Sequence, residues 1–125
     1  MEQETATKSS WQVQSMPSAK VQFPLDLYLT LSEFERLKFG SIPEEMEDKW
    51  FVYHDNGWVH FHRSWSGYCI FQICFHQENG QFVAQEAWAN RDPKQYNNDD
   101  VEIDIEHVFT VLFYLFRIGE DPFAN

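Results

Sequence analysis

The chain has 125 residues, 43% of them apolar and 18% aromatic, enough to bury one core and too apolar for a disordered segment. Nine basic residues against twenty acidic ones give a net charge of −11. That balance argues against nucleic acid and against an anionic membrane surface, both of which need clustered Lys and Arg; it suits solubility and the steering of a basic protein partner.

In chain order, Met1 to Lys20 is rich in Ser, Thr, Gln, Lys and Glu, with one isolated Trp11, and reads as a flexible arm, with residues 21–125 forming a single domain. Met1 to Ser10 has no apolar run of the secretory kind, and the apolar stretch Val108 to Ile118 is too short and interrupted to span a bilayer. A cytoplasmic protein is therefore expected. "TLSEFERLKFG" predicts a short N-terminal helix. Thr30 is its N-cap, Glu33 completes a capping box, Gly40 follows its end, and Leu31, Phe34 and Leu37 share one face. In the acidic connector after this helix, Pro43 is placed to open one helical turn.

From Lys49 the apolar period changes to two. "KWFVYH", "GWVHFHR", "GYCIFQICFH" and "QFVAQEAWAN" read as strands, and Asn56-Gly57 and Asn79-Gly80 as two-residue hairpin turns. The expected fold is α+β: a four-stranded antiparallel meander packed against a C-terminal apolar helix from about Val101 to Ile118. Strict alternation would put Phe51, Tyr53, Trp58, His60, His62, Cys69, Phe71, Ile73 and Phe75 on one face, with Phe82, Ala84, Glu86, Trp88 and Asn90 beside them. Neither face is then clearly the solvent face. Cys69 and Cys74, five apart, would point to opposite faces and stay unbonded, as suits a reducing compartment. The last helix is apolar around most of its circumference, with His107, Thr110, Tyr114 and Arg117 as a polar stripe, so a homo-oligomer through that helix is one expectation.

The turn "HRSWSG" carries more chemistry than a turn requires. Together with the exit of the fourth strand it gathers His62, Arg63, Ser64, Trp65, Ser66, Tyr68, Asn90, Arg91 and Asp92, with Lys49 alongside. Flat aromatic surface, hydrogen-bonding groups and cations in one place suit an anionic ligand bearing a ring, or an acidic peptide with an aromatic anchor. The bland alternative pairs Arg63 with Glu44, Glu45, Glu47 or Asp48 and leaves Trp65 covering the core. A metal site at His60, His62 and Cys69 lacks a fourth ligand. A Ser64–His62–Asp92 triad lacks an elbow motif. The five glycines are isolated, so no phosphate loop is present, and "DDVEIDIE" reads as acidic residues at a helix N-terminus. No cofactor, metal or catalytic residue is assigned.

The residues "DKWFVYHDNGWVHFHRSWSGYCIF" and "WANRDP" together resemble a small bacterial domain family without an assigned activity. Its pattern is Lys-Trp-Phe after an acidic residue, a strand ending in His-Arg-Ser-Trp-Ser/Thr-Gly, and an Asn-Arg-Asp-Pro turn. The resemblance covers about Ile42 to Asp92, is most specific from His62 to Gly67, and is associated with proteins that handle ADP-ribose. It implies a ligand site at His62, Arg63, Ser64, Trp65 and Arg91, and no reaction.

The functional expectation is a non-catalytic acidic binding protein of inhibitor, immunity or sensor type from bacterial or phage conflict systems, recognising a protein partner or small anionic ligand through this loop. The alternatives are a nucleotide- or ADP-ribose-handling enzyme centred on His62, Arg63 and Asp92, and a structural subunit.

Overall fold

The structure, a computed structural model, describes residues 4–121; the outermost ends of the expected arm and domain lie outside them. The architecture is α+β, one antiparallel sheet with two helices. Its centre is the predicted meander: β3 (Trp50–Asp55), β4 (Trp58–Arg63), β5 (Cys69–Glu78) and β6 (Gln81–Asn90). At both Asn-Gly turns each residue has positive φ, 49° and 84° at Asn56 and Gly57, 51° and 78° at Asn79 and Gly80. That geometry matches the right-handed twist of the flanking strands, which is why these dipeptides set the hairpins.

The sheet has six strands, not four. β1 (Lys20–Gln22) and β2 (Tyr28–Leu29) both pair with the outer edge of β6, giving the order β1-β6-β5-β4-β3 with β2 beside β1. Both are short because Pro24, which has no N–H to give a ladder, interrupts the segment that would otherwise be a single edge strand. Covering this edge leaves less of β6 free for unwanted pairing.

Two bulges correct the faces that strict alternation assigned. On β5 the register passes from Cys69 opposite His62 to Phe71 opposite Phe61, so Ile70 is extra. Between β5 and β6 it passes from Cys74 opposite Glu86 to Phe75 opposite Ala84, so Gln85 is extra. Each extra residue reverses the facing of the strand beyond it. Phe71, Ile73, Phe75, Phe82 and Ala84 therefore turn to the helix side, where Phe71, Ile73 and Phe75 join Val52, Val59, Phe61 and Ile70 in the core and Phe82 and Ala84 pack against it. Gln72 and Cys74 move to the outer face with His60, His62, Glu86 and Trp88. The sheet then has one apolar side and one mixed side.

Cys69 and Cys74 are both free, but for a different reason than expected. They share the outer face. Five residues along one strand separates them by about 16 Å, far beyond disulfide reach.

α1 (Leu31–Phe39) has the expected capping box, with Thr30 Oγ1 accepting from Glu33 N and Glu33 Oε1 from Thr30 N. It buries Phe34 and Leu37, and Phe34 stacks on Phe82 at 4.1 Å; Leu31, expected on the same face, is exposed. α2 (Val101–Phe116) ends at Arg117, which takes a left-handed conformation. It buries Val108, Val111, Leu112 and Phe116 and is joined to α1 by Arg36, which donates to the carbonyls of Phe116 and Arg117. None of the described helices is long and apolar enough to cross a membrane. Residues after Pro43 form a turn rather than a helical turn, because the Asp48 carboxylate folds back to accept from Glu44 N and Glu45 N.

The segment that reads as an arm lies on the outer face. Ala6 is buried, Trp11 stacks on Phe51 at 6.2 Å, and Gln14 N donates to Gly67 O. Ala6, Phe51 and Tyr53, with Trp11, Val13 and Ile42 packed against them, make a second, smaller apolar cluster on the side opposite the main core.

Candidate functional site

The β4–β5 connection is short and its backbone is closed by two bonds, Arg63 N to Tyr68 O and Gly67 N to Arg63 O. Gly67 completes it with φ of 77°, and an added Cβ there would lie 2.5 Å from Gln12 O. Glycine is required twice over, for the conformation and for the approach of the N-terminal segment.

Two neighbours hold this turn. From one side, Ser64 Oγ donates to Asp48 O at 2.7 Å and Trp65 Nε1–H to Met46 O at 3.0 Å. From the other, Trp11 Nε1–H donates to Ser64 O at 2.8 Å. Lys49 Nζ sits 4.7 Å from the Trp65 ring centroid. The Trp65 indole is thus fixed in direction by a hydrogen bond and a cation, yet the residue is 69% exposed. It does not seal the core. Clefts flank it: one of about 470 Å³ with Trp11, Pro43, Glu44, Glu45 and Met46, and one of about 530 Å³ with Ser9, Ser10, Gln12 and Ser66.

The other expected site residues divide between this rim and elsewhere. Ser64 is buried and occupied structurally, while Ser66 stays exposed, its hydroxyl accepting from Tyr68 N. Arg63 points to the helix side, its guanidinium 4.3 Å from the Trp50 ring centroid, and among the described residues it forms no ion pair with the acidic connector. Tyr68 packs partly against the main core. Asn90 is fully buried and donates to Cys69 O and Gln95 Oε1. Asp92 accepts from Lys94 N in a turn. Arg91 forms an ion pair with Asp104 of α2. Lys49, Arg63 and Arg91 are therefore not pooled at one rim: only Lys49 reaches Trp65.

Asp104 is buried and heavily bonded. Besides Arg91 it accepts from Tyr96 Oη at 3.0 Å and Asn98 Nδ2 at 2.9 Å, and Tyr96 Oη also meets His107 Nδ1 at 3.0 Å. Burial first, and the Asp104 charge second, raise the Tyr96 pKa. These bonds fasten the Asn-Arg-Asp-Pro loop to α2, a structural task for residues that read in sequence as a ligand site.

His62 is 2% exposed and lies on the outer face, while its neighbour Arg63 faces the helices, as adjacent strand residues must. Its Nδ1 is 2.9 Å from Gly67 O, and Ser64 Oγ is committed to Asp48 O, so Ser64, His62 and Asp92 make no catalytic relay. The thiol of Cys69 donates to Phe71 O, and burial pushes its pKa up to about 12, which removes it as a nucleophile at neutral pH. No group of three or more metal-binding side chains is found among the described residues.

Sequence reasoning missed Trp11, Pro43 and Met46 as rim residues. An indole alone in a polar segment was the one visible signal. Comparison with protein-family models, with curated proteins and with solved structures finds no match.

Proposed function

We propose that the chain is a non-catalytic binding protein that captures a basic protein segment on the rim formed by Trp11, Met46 and Trp65. The observation that carries this reading is Trp65. An indole held by the Met46 carbonyl and Lys49 is already in one orientation before a partner arrives, so little side-chain entropy is lost on docking. Tryptophan is the residue type that most often dominates such contacts, because it joins a large apolar area to one polar handle.

The charge around the rim favours the sign of the partner. Glu44 and Glu45 line the cleft beside Trp65, and the chain as a whole carries −11. A Lys- or Arg-bearing segment with an apolar or aromatic anchor complements both features and would be steered towards them. An anionic ligand fits less well, since Arg91 is taken up by Asp104 and Arg63 stacks on Trp50. Small size, acidity and an exposed anchor are consistent with an inhibitor, immunity or sensor protein of bacterial or phage conflict systems, the setting that the sequence pattern suggests. The enzyme reading has less support, because His62, Arg63 and Asp92 do not converge.

The test is a binding screen of peptides that carry an aromatic residue between Lys or Arg, with acidic counterparts of the same shape. Removing an indole that the docked peptide would bury, at about 25 cal/mol per Å², forfeits roughly 2 kcal/mol or more, so Trp65→Ala should weaken the best basic peptide about thirty-fold. High salt should slow association. Preference for the acidic series, or equal binding by Trp65→Ala, defeats the proposal.

A further inference from the structure

Beneath the N-terminal segment lies a separate cavity of about 140 Å³ on the outer face of the sheet, comparable to the roughly 150 Å³ that an engineered protein cavity uses to hold a benzene ring. Its floor is Tyr53, His60 and His62; Lys8, Val13 and Met16 belong to its cover. It does not include Trp65 and is independent of the rim.

The protonation of this floor is set by its hydrogen bonds. His62 Nδ1 faces the Gly67 carbonyl, which can only accept, so Nδ1 carries the proton. Nε2 is left with its lone pair, fully buried and without a partner among the described residues. Gln72 Nε2 can only donate, so His60 Nδ1 accepts from it and the His60 proton sits on Nε2. The Tyr53 hydroxyl makes no hydrogen bond among the described residues. Burial favours the neutral form of both imidazoles, bringing His60 down to about 4. A buried acceptor without a partner costs roughly 1–3 kcal/mol; among the described residues only His76 Nδ1 shares that condition, and it does not line this cavity.

The floor therefore holds one unpartnered acceptor at His62, one N–H donor at His60 and a hydroxyl at Tyr53. The rings stand close together, with centroids 4.6 Å apart for Tyr53 and His60, 5.7 Å for Tyr53 and His62, and 6.4 Å for His60 and His62. The complement of an acceptor beside donors is a donor beside an acceptor. In a space for a single ring, an N–H next to a carbonyl supplies both.

We propose that this cavity binds a planar cyclic amide or imide, whose ring N–H is donated to His62 Nε2 while its carbonyl accepts from Tyr53 or His60. The cavity shares His60 and Gln72 with an open trough lined by Lys20, Trp58 and Trp88, which leaves room for a substituent on the ring.

The experiment uses the full chain labelled with ¹⁵N and uracil as the probe. Uracil should move the His62 ring-nitrogen resonances in a saturable titration, whereas 1,3-dimethyluracil, which has no N–H, should not. His62→Phe should weaken uracil at least ten-fold, the scale of leaving one buried polar group unpaired. Tyr53→Phe, which keeps the ring, should weaken it less, and Trp65→Ala should leave it unchanged. If His62→Phe fails to fold, the dimethylated probe and Tyr53→Phe still decide. Absence of a response up to the solubility limit of uracil, or equal binding of the dimethylated ring, overturns the assignment and leaves a solvent-filled cavity.

Discussion

Asp104→Asn tests whether the loop after β6 is structural. The carboxylate is fully buried, and the Arg91 side chain that it neutralises is only 15% exposed. Four hydrogen bonds reach its two oxygens, two from Arg91 and one each from Tyr96 and Asn98. Asparagine keeps the shape but removes the charge, and it turns one acceptor into a donor facing other donors. A buried pair broken on one side typically loses 3–5 kcal/mol, because the remaining ion stays desolvated and uncompensated. Taking about 4 kcal/mol and an unfolding entropy of about 2.1 cal/mol/K per residue, the melting temperature should fall by roughly 15 °C. Calorimetry and urea unfolding would measure it. Arg91→Met combined with Asp104→Leu should recover part of the loss, since no charge is then stranded. A loss below about 1 kcal/mol for Asp104→Asn would refute the reasoning, because an ion pair that is worth so little behaves as a solvated surface pair.

Other consequences come from the same geometry. Gly67→Ala, with φ of 77° and a Cβ 2.5 Å from Gln12 O, should detach the N-terminal segment; faster amide exchange of Gln14 would reveal it, and unchanged protection would contradict it. Gly40→Ala, where φ is 79° and the new Cβ would lie 2.4 Å from Val52 O, should destabilise the whole domain by more than about 2 kcal/mol, the strain of a forced backbone, read from the urea midpoint. Stability should also fall on acidification. The folded pKa of His60 is about 4 against an ordinary 6.5, so between these values the unfolded chain binds more protons and stability rises with pH. The urea midpoint should therefore drop as pH is lowered from 6.5 to about 4, and His60→Gln should flatten that slope; an unchanged slope would exclude His60 as its source. Trp65→Ala, exposed and outside the core, should change stability by less than about 1 kcal/mol, in contrast to its effect on binding.

The hairpins, the first helix and the last helix were legible because their signals are local: Asn-Gly for positive φ, a threonine and glutamate three apart for the cap, and period against period for strand and helix. The bulges at Ile70 and Gln85 were not. Alternation runs through "GYCIFQICFH" in either register, and only competition for the helix side decides which half of it points inward. One extra residue at Ile70 moves Phe71, Ile73 and Phe75 into the core, which is why strict alternation leaves neither face clearly apolar. The rim was half legible. Trp65 stands out in a turn, but its neighbours Trp11 and Met46 come from segments with no periodicity, placed by the Trp11 indole donating to Ser64 O and the Trp65 indole donating to Met46 O. The arginines misled for a related reason: closeness in register says nothing of whether a guanidinium turns outward or, as at Arg91, into a buried carboxylate.

The central functional claim, that Trp65 anchors a basic partner, is tested most directly by mapping where such a partner sits. Amide shifts of the labelled chain, read during titration with the best basic aromatic peptide, should concentrate on Trp11, Glu44 to Met46 and Ser64 to Ser66. The Trp65 indole N–H should move most. A footprint centred instead on α2 or on the open outer face around Trp58 and Trp88 would contradict the account.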